Sequence, residues 1–153
     1  MAFKPTVHSG FTLERKLDAP PALVFEAWST PEGKKKWFVA HSAKEHLREM
    51  NFRVGGKDAL IGEWPNGMKS EFRAQYFDIK PNERIVYLYE MFLDGVKIST
   101  SLATIDFEPK GKGTRMVLTE QHAFVDGYED NGSREHGTNV LLDQLVAYLS
   151  PKS

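Results

Sequence analysis

From Glu45 to Phe124 the chain alternates apolar and polar residues in run after run, and every gap between the runs is short. Parallel neighbours need a crossover of a dozen or more residues, so consecutive strands here must pair antiparallel. That restricts the middle of the chain to a meander. The punctuation is explicit. Gly55-Gly56 supplies hairpin-turn chemistry after a strand opening near Glu45, and Lys57 to Trp64 returns from it. Pro65-Asn66-Gly67 separates that run from Met68 to Ile79, and Lys80-Pro81-Asn82 precedes a strand over Arg84 to Leu93. Asp94-Gly95 is the strongest two-residue hairpin signal, leading into Val96 to Phe107. Lys110-Gly111-Lys112-Gly113 turns the chain into Thr114 to Phe124.

The flanks have a different period. Thr12 to Leu17 reads as a first strand, with residues 1–10 as a flexible tail, and Pro20-Pro21 suits a helix start. Leu23, Val24, Ala27 and Trp28 then fall at helical spacing. Thr30-Pro31-Glu32 reads as the cap and first turn of a second helix reaching about Phe38. Near the C-terminus Ser133 can cap a helix whose apolar face is Leu141, Leu142, Leu145, Val146 and Leu149, halted at Ser150-Pro151. Such a helix is roughly 26 Å long at 1.5 Å per residue, enough to lie across the sheet and bury its inner face. The expected fold is α+β: six to seven antiparallel strands curled around a long C-terminal helix, in a single domain over residues 1–153.

Charge narrows the partners. With 20 Lys and Arg against 21 Asp and Glu, no global field attracts nucleic acid or an anionic membrane surface. The absence of cysteine removes disulfides, thiolate metal sites and a cysteine nucleophile. Neither a signal-peptide apolar stretch nor a membrane-length run occurs, which suits a cytoplasmic protein without a membrane span.

Specific blocks carry a family resemblance. Ala19-Pro20-Pro21-Ala22-Leu23-Val24-Phe25-Glu26-Ala27-Trp28, with Thr30-Pro31-Glu32 and Trp37, resembles the N-terminal helix pair of the START-like group named for the activator of heat-shock-protein-90 ATPase. Phe52-Arg53-Val54-Gly55-Gly56, Pro81-Asn82-Glu83-Arg84-Ile85-Val86 and the helical segment from Gly137 to Leu145 agree with it. Members often have a tryptophan pair where this chain has Trp37-Phe38, and an aromatic where it has Thr138. The resemblance implies the helix-grip (SRPBCC) fold with a hydrophobic cavity between sheet and C-terminal helix. It does not imply one activity, because carriers, receptors, cyclases and chaperone activators share the scaffold.

Candidate site residues follow from which strand faces look inward. Tyr87 and Tyr89 share a face with Ile85 and Met91, while Trp64, Phe72 and Tyr76 lie on neighbouring strands. Rings with polar tips suit an amphipathic ligand, and they equally suit an ordinary core. Trp28, Trp37 and Phe38 would close the interior from the helix pair. Glu120 and His122 alternate onto one face with Met116 and Leu118. Facing the interior, they would bind a polar group or move protons; at a strand end in solvent they would be unremarkable. His136 and Asn139 read as surface positions, and Lys34-Lys35-Lys36 as a solvated helix face. His41 and His46 have no metal-ligand spacing, and the glycine pairs lack phosphate-loop spacing, so neither a metal nor a cofactor is expected. These readings favour binding of a hydrophobic or amphipathic small molecule. The alternatives are a cyclase- or hydrolase-type enzyme using Glu120 and His122, and a cochaperone-like protein contacting a chaperone. A homodimer through a strand edge is compatible with any of them.

Overall fold

A computed structural model describes residues 2–151. Seven strands form one antiparallel sheet in the order β1-β7-β6-β5-β4-β3-β2. They are β1 (Val7–Leu17), β2 (Lys44–Met50), β3 (Lys57–Glu63), β4 (Lys69–Lys80), β5 (Arg84–Leu93), β6 (Val96–Lys110) and β7 (Gly113–Phe124). Two short helices, α1 (Pro21–Ser29) and α2 (Pro31–Lys34), follow β1, and α3 (Ser133–Leu149) crosses the inner face of the sheet. This is the antiparallel meander the spacing of turns predicts, in the helix-grip arrangement the family resemblance implies. Among the described residues no helix is long and apolar enough to cross a membrane.

The strongest turn signals form as expected. Asp94 and Gly95 take φ values of 49° and 81°, the paired left-handed conformation of a tight hairpin, and the Asp94 carboxylate accepts the Lys69 N–H at 2.9 Å. Thr30 caps α2, its hydroxyl accepting the Gly33 N–H at 3.0 Å.

Four boundaries differ from expectation, each for a local reason. Strand β1 begins at Val7, so residues 7–10 belong to the sheet and not to a tail. Ser9 and Gly10 carry no apolar alternation but lie opposite His122 and Gln121 of β7. The helical hydrogen bonding of α2 tightens after Lys34, with Lys36 N–H bonding Gly33 O and Trp37 N–H bonding Lys34 O, leaving Trp37 and Phe38 in a turn. Strand β2 ends at Met50, and Gly55-Gly56 closes a wider loop against β4. Gly55 N–H donates to Tyr76 O at 2.8 Å and Tyr76 N–H to Gly56 O at 3.0 Å. A Cβ on Gly56 would lie 2.0 Å from Asn51 O, so only glycine fits that approach. At α3, Gly132 occupies the cap position with φ 80° and Ser133 is already helical; Asp130 takes over, accepting the Arg134 N–H at 3.0 Å.

The core lies between the concave sheet face, α1, the turn after α2, and α3. Val24, Phe25, Ala27 and Trp28 bury one side of α1, while Leu23 stays exposed. Leu142 and Leu145 are fully buried beneath α3, and Gln144 binds the Trp37 and Val39 carbonyls at 2.6 and 3.1 Å. The other side of α3 is tied to β1, where Arg15 donates to Asn139 at 2.6 Å and to Asp143 at 3.1 Å.

Candidate functional site

Strand register converts the inner face into rungs, because residues directly opposite in neighbouring strands point the same way. One rung runs Leu13, Leu118, Ile105, Ile85, Ile79 and is wholly aliphatic. The next runs Phe11, Glu120, Ala103, Tyr87, Tyr76, and the one beyond it Ser9, His122, Ser101, Tyr89, Ala74, Asp58, Met50. The following rung is Val7, Phe124, Ser99, Met91, Phe72, Leu60, Arg48. The inner face therefore passes from aliphatic to aromatic to polar along the strands. From His122 to Asp58 its polar rung is buried.

Six aromatic residues predicted to face inward do so. Trp37, Phe38, Phe72, Tyr76, Tyr87 and Tyr89 are all buried and stack largely edge to face, with Phe38 and Phe72 centred 5.2 Å apart and Phe72 and Tyr89 5.0 Å apart. Trp64 is not among them. It follows the end of β3, half-buried, in the turn where its N–H bonds Met68 O, because the strand stops one residue earlier.

Glu120 and His122 are 4% and 3% exposed, so the end of β7 does not emerge into solvent. The cause is coverage by β1 on one side and α3 above. His122 lies between the Phe11 and Phe124 rings, with centroids at 5.1 and 5.4 Å. Its Nε2 is 2.8 Å from Glu120 Oε1, and the same oxygen accepts the Tyr89 hydroxyl. Tyr89 also accepts from Arg134 at 3.1 Å, and that guanidinium donates to Ser101 at 3.2 Å and Ser99 at 2.7 Å. Arg134 lies over the Tyr89 and Phe124 rings at 5.5 and 5.2 Å. Three strands and the first turn of α3 thus build one network. Burial, then the Glu120 charge, pushes the Tyr89 phenol well above its ordinary pKa, with Arg134 opposing. Tyr87, between the two clusters, is raised by burial and then by Glu120.

A second polar cluster occupies the other half of the sheet. Lys34, expected on a solvated helix face, is 3% exposed and paired with the buried Asp58 carboxylate. Tyr76 donates to that carboxylate at 2.7 Å, and the ammonium lies 4.6 Å from the Phe38 ring centre. Lys35 and Lys36 remain exposed. The short α2 turns only one of the three lysines inward, and Asp58 is positioned to receive it. The Tyr76 phenol is raised by burial and then by the Asp58 charge. A concavity of about 190 Å³ opens beside this pair, lined by Pro31, Glu32, Lys34, Lys35, Arg48, Met50 and Asp58. A second, of about 370 Å³, lies at the opposite end of the sheet among Lys16, Lys110 and Lys112.

Arg134, Ser99, Ser101, Lys34 and Asp58 were not predicted as site residues. One signal for them is legible: Ser99, Ser101 and Ala103 place small residues at successive inner positions of β6, leaving room that a long side chain from α3 fills. His136 is exposed as expected, while Asn139 is half-buried through its bond to Arg15.

The comparisons agree with this geometry. Residues 18–150 match the family model described as Activator of Hsp90 ATPase homolog 1-like protein. The fold superposes on an uncharacterized protein from Rhizobium leguminosarum with a TM-score of 0.92 and 42% identity, covering 97% of this chain and 98% of that one. Mll3558 from Rhizobium loti gives 0.86 and 37%, covering 95% and 100%. Protein CV1439 from Chromobacterium violaceum gives 0.79 and 26%, covering 94% and 98%. No curated protein matches the chain. With most of its length matched and two relatives above 30% identity, the chain belongs to the Activator of Hsp90 ATPase homolog 1-like family.

Proposed function

We propose that the interior between the sheet and α3 binds a small amphipathic molecule. Its apolar part lies against Phe38, Phe72, Tyr76 and Tyr87, and its polar group lies at Tyr89, Glu120, His122 and Arg134. The observation that carries this reading is the buried polar network beneath α3. Burying charges costs stability, and well-packed apolar side chains of similar volume often serve a core as well or better. A fold needing only a core has no use for a carboxylate and an imidazole buried on adjoining rungs beneath a guanidinium from α3. Aromatic walls with a few convergent polar groups are the usual composition of a small-molecule site. Entry requires Arg134 to move out of the volume it fills over Ser99 and Ser101.

Native mass spectrometry of freshly purified protein, followed by denaturation and analysis of released compounds, tests this. The expected result is a stoichiometric compound of a few hundred daltons, or saturable thermal stabilisation by a panel of amphipathic acids and alcohols. Either signal should weaken at least tenfold in Tyr89→Phe while the fold is retained. Protein of bare chain mass that no member of the panel stabilises would refute the proposal.

A further inference from the structure

The buried His122 and Glu120 extend to a third group at the surface. Ser9 is exposed on the edge strand β1, directly opposite His122, and its Oγ lies 3.4 Å from His122 Nδ1. The other ring nitrogen faces Glu120 Oε1 at 2.8 Å. A carboxylate oxygen can only accept, so Nε2 carries the proton and Nδ1 presents its lone pair to the serine hydroxyl. Ser9, distant in sequence from the neighbouring pair His122 and Glu120, thereby completes the order hydroxyl, imidazole, carboxylate, with the roles of the two ring nitrogens exchanged relative to the serine-protease triad. We propose that Ser9, His122 and Glu120 form an acyl-transfer centre in which Ser9 is the nucleophile, His122 the general base and Glu120 a positioning residue. It would act on esters of small apolar or aromatic acids.

Several further features fit that assignment. Phe11 and Phe124 clamp the imidazole from both sides, holding its plane. Gly10 lets β1 close on β7 beside the pair, since a Cβ there would lie 2.6 Å from Glu120 O. Val7 and Phe11, two residues either side of Ser9, offer an apolar rest for the acyl group. In the reaction, Ser9 Oγ bonds to the ester carbonyl carbon as its proton passes to Nδ1. The carbon–oxygen bond to the leaving alcohol then breaks, and the alcohol departs with that proton. Water, deprotonated by the same nitrogen, attacks the acyl-serine and releases the acid, returning the proton to Ser9.

A short-chain alkyl fluorophosphonate probes the nucleophile directly: Oγ bonds to phosphorus, fluoride leaves, and the adduct is mapped by peptide mass spectrometry. Phosphonylation is expected at Ser9, absent from Ser9→Ala, and at least tenfold slower in Glu120→Gln, less than the roughly 10²–10⁴ that the general base itself contributes. The chain has no cysteine, so Ser9→Cys introduces its sole thiol. Iodoacetamide should alkylate that thiol at least tenfold faster than in the Ser9→Cys, Glu120→Gln double variant. A purely structural Glu120 would leave that ratio near one. No adduct at Ser9, or equal alkylation rates, overturns the proposal; neither result bears on ligand binding in the interior, which the released-compound measurement reads separately.

Discussion

Asp58 and His122 belong to the same rung, on opposite sides of Tyr89, and their surroundings are organised in opposite ways. Around Asp58 the charges are matched: one ammonium, one carboxylate and one phenol in direct contact, all buried. Around His122 the cation and the anion are separated. Arg134 reaches Glu120 only through the Tyr89 hydroxyl, and its other partners are serine hydroxyls. A directly paired cluster has its bonding capacity spent on the fold, whereas a cation held by neutral hydroxyls can exchange them for a better acceptor. On the function proposed above, the Lys34 end is a structural latch for α2 and the Arg134 end the chemically available one.

The largest expected effect is at the latch. Asp58→Ala leaves the Lys34 ammonium buried without its counter-ion and should cost about 3–5 kcal/mol in urea unfolding. Replacing both residues, Lys34→Met with Asp58→Leu, should recover most of that loss. If the double variant is no more stable than the single, the pair is not what holds α2 down.

A smaller loss is expected at the junction of the other network. Tyr89→Phe removes the hydroxyl between Glu120 and Arg134 while His122 and Ser101 remain as partners, so about 1–2 kcal/mol should be lost, read from the same unfolding curves. A loss as large as that of Asp58→Ala would erase the distinction between the two ends.

Alkaline pH compares the phenols of the two clusters. Tyr76, Tyr87 and Tyr89 all have folded-state pKa values raised above the ordinary 10.0. Burial of the neutral phenol thus contributes stability that is complete below about pH 10 and lost as pH rises above it, by about 1 kcal/mol per tyrosine at pH 11. Tyr76→Phe should flatten the alkaline limb by one such increment. A limb unchanged in that variant would show that Tyr76 does not titrate on unfolding as its burial requires. The smallest change belongs to Arg134→Met. The half-exposed guanidinium is bonded only to hydroxyls, so less than about 1 kcal/mol should be lost, while uptake of an apolar fluorophore into the interior should rise. Strong destabilisation would make Arg134 a second latch.

The meander was legible because its turns are chemical signals confined to a few residues, as at Asp94-Gly95 and Thr30-Pro31. What escaped depends on distant partners. Nothing in Lys34-Lys35-Lys36 marks the first lysine as the buried one; that follows from Asp58, 24 residues on, standing beneath a helix one turn long. Gly55-Gly56 has hairpin composition, yet its role is to let a loop lie against Tyr76 of a different strand. Glu120 and His122 alternate inward on paper, but their burial required β1 to extend back to Val7 through residues without apolar alternation. Trp64 shows the converse, where a large ring one residue beyond a strand end stays half-buried and outside the core that its parity suggests.

Ser99, Ser101 and Ala103 make β6 nearly flat on its inner face, so the side chain that occupies that volume comes from α3. Sheet architecture and interior capacity are thereby encoded in separate stretches of chain. Exchanging the residue at position 134 would change the volume over Ser99 and Ser101 without altering a single strand pairing, and a designer seeking a wider chamber has that lever.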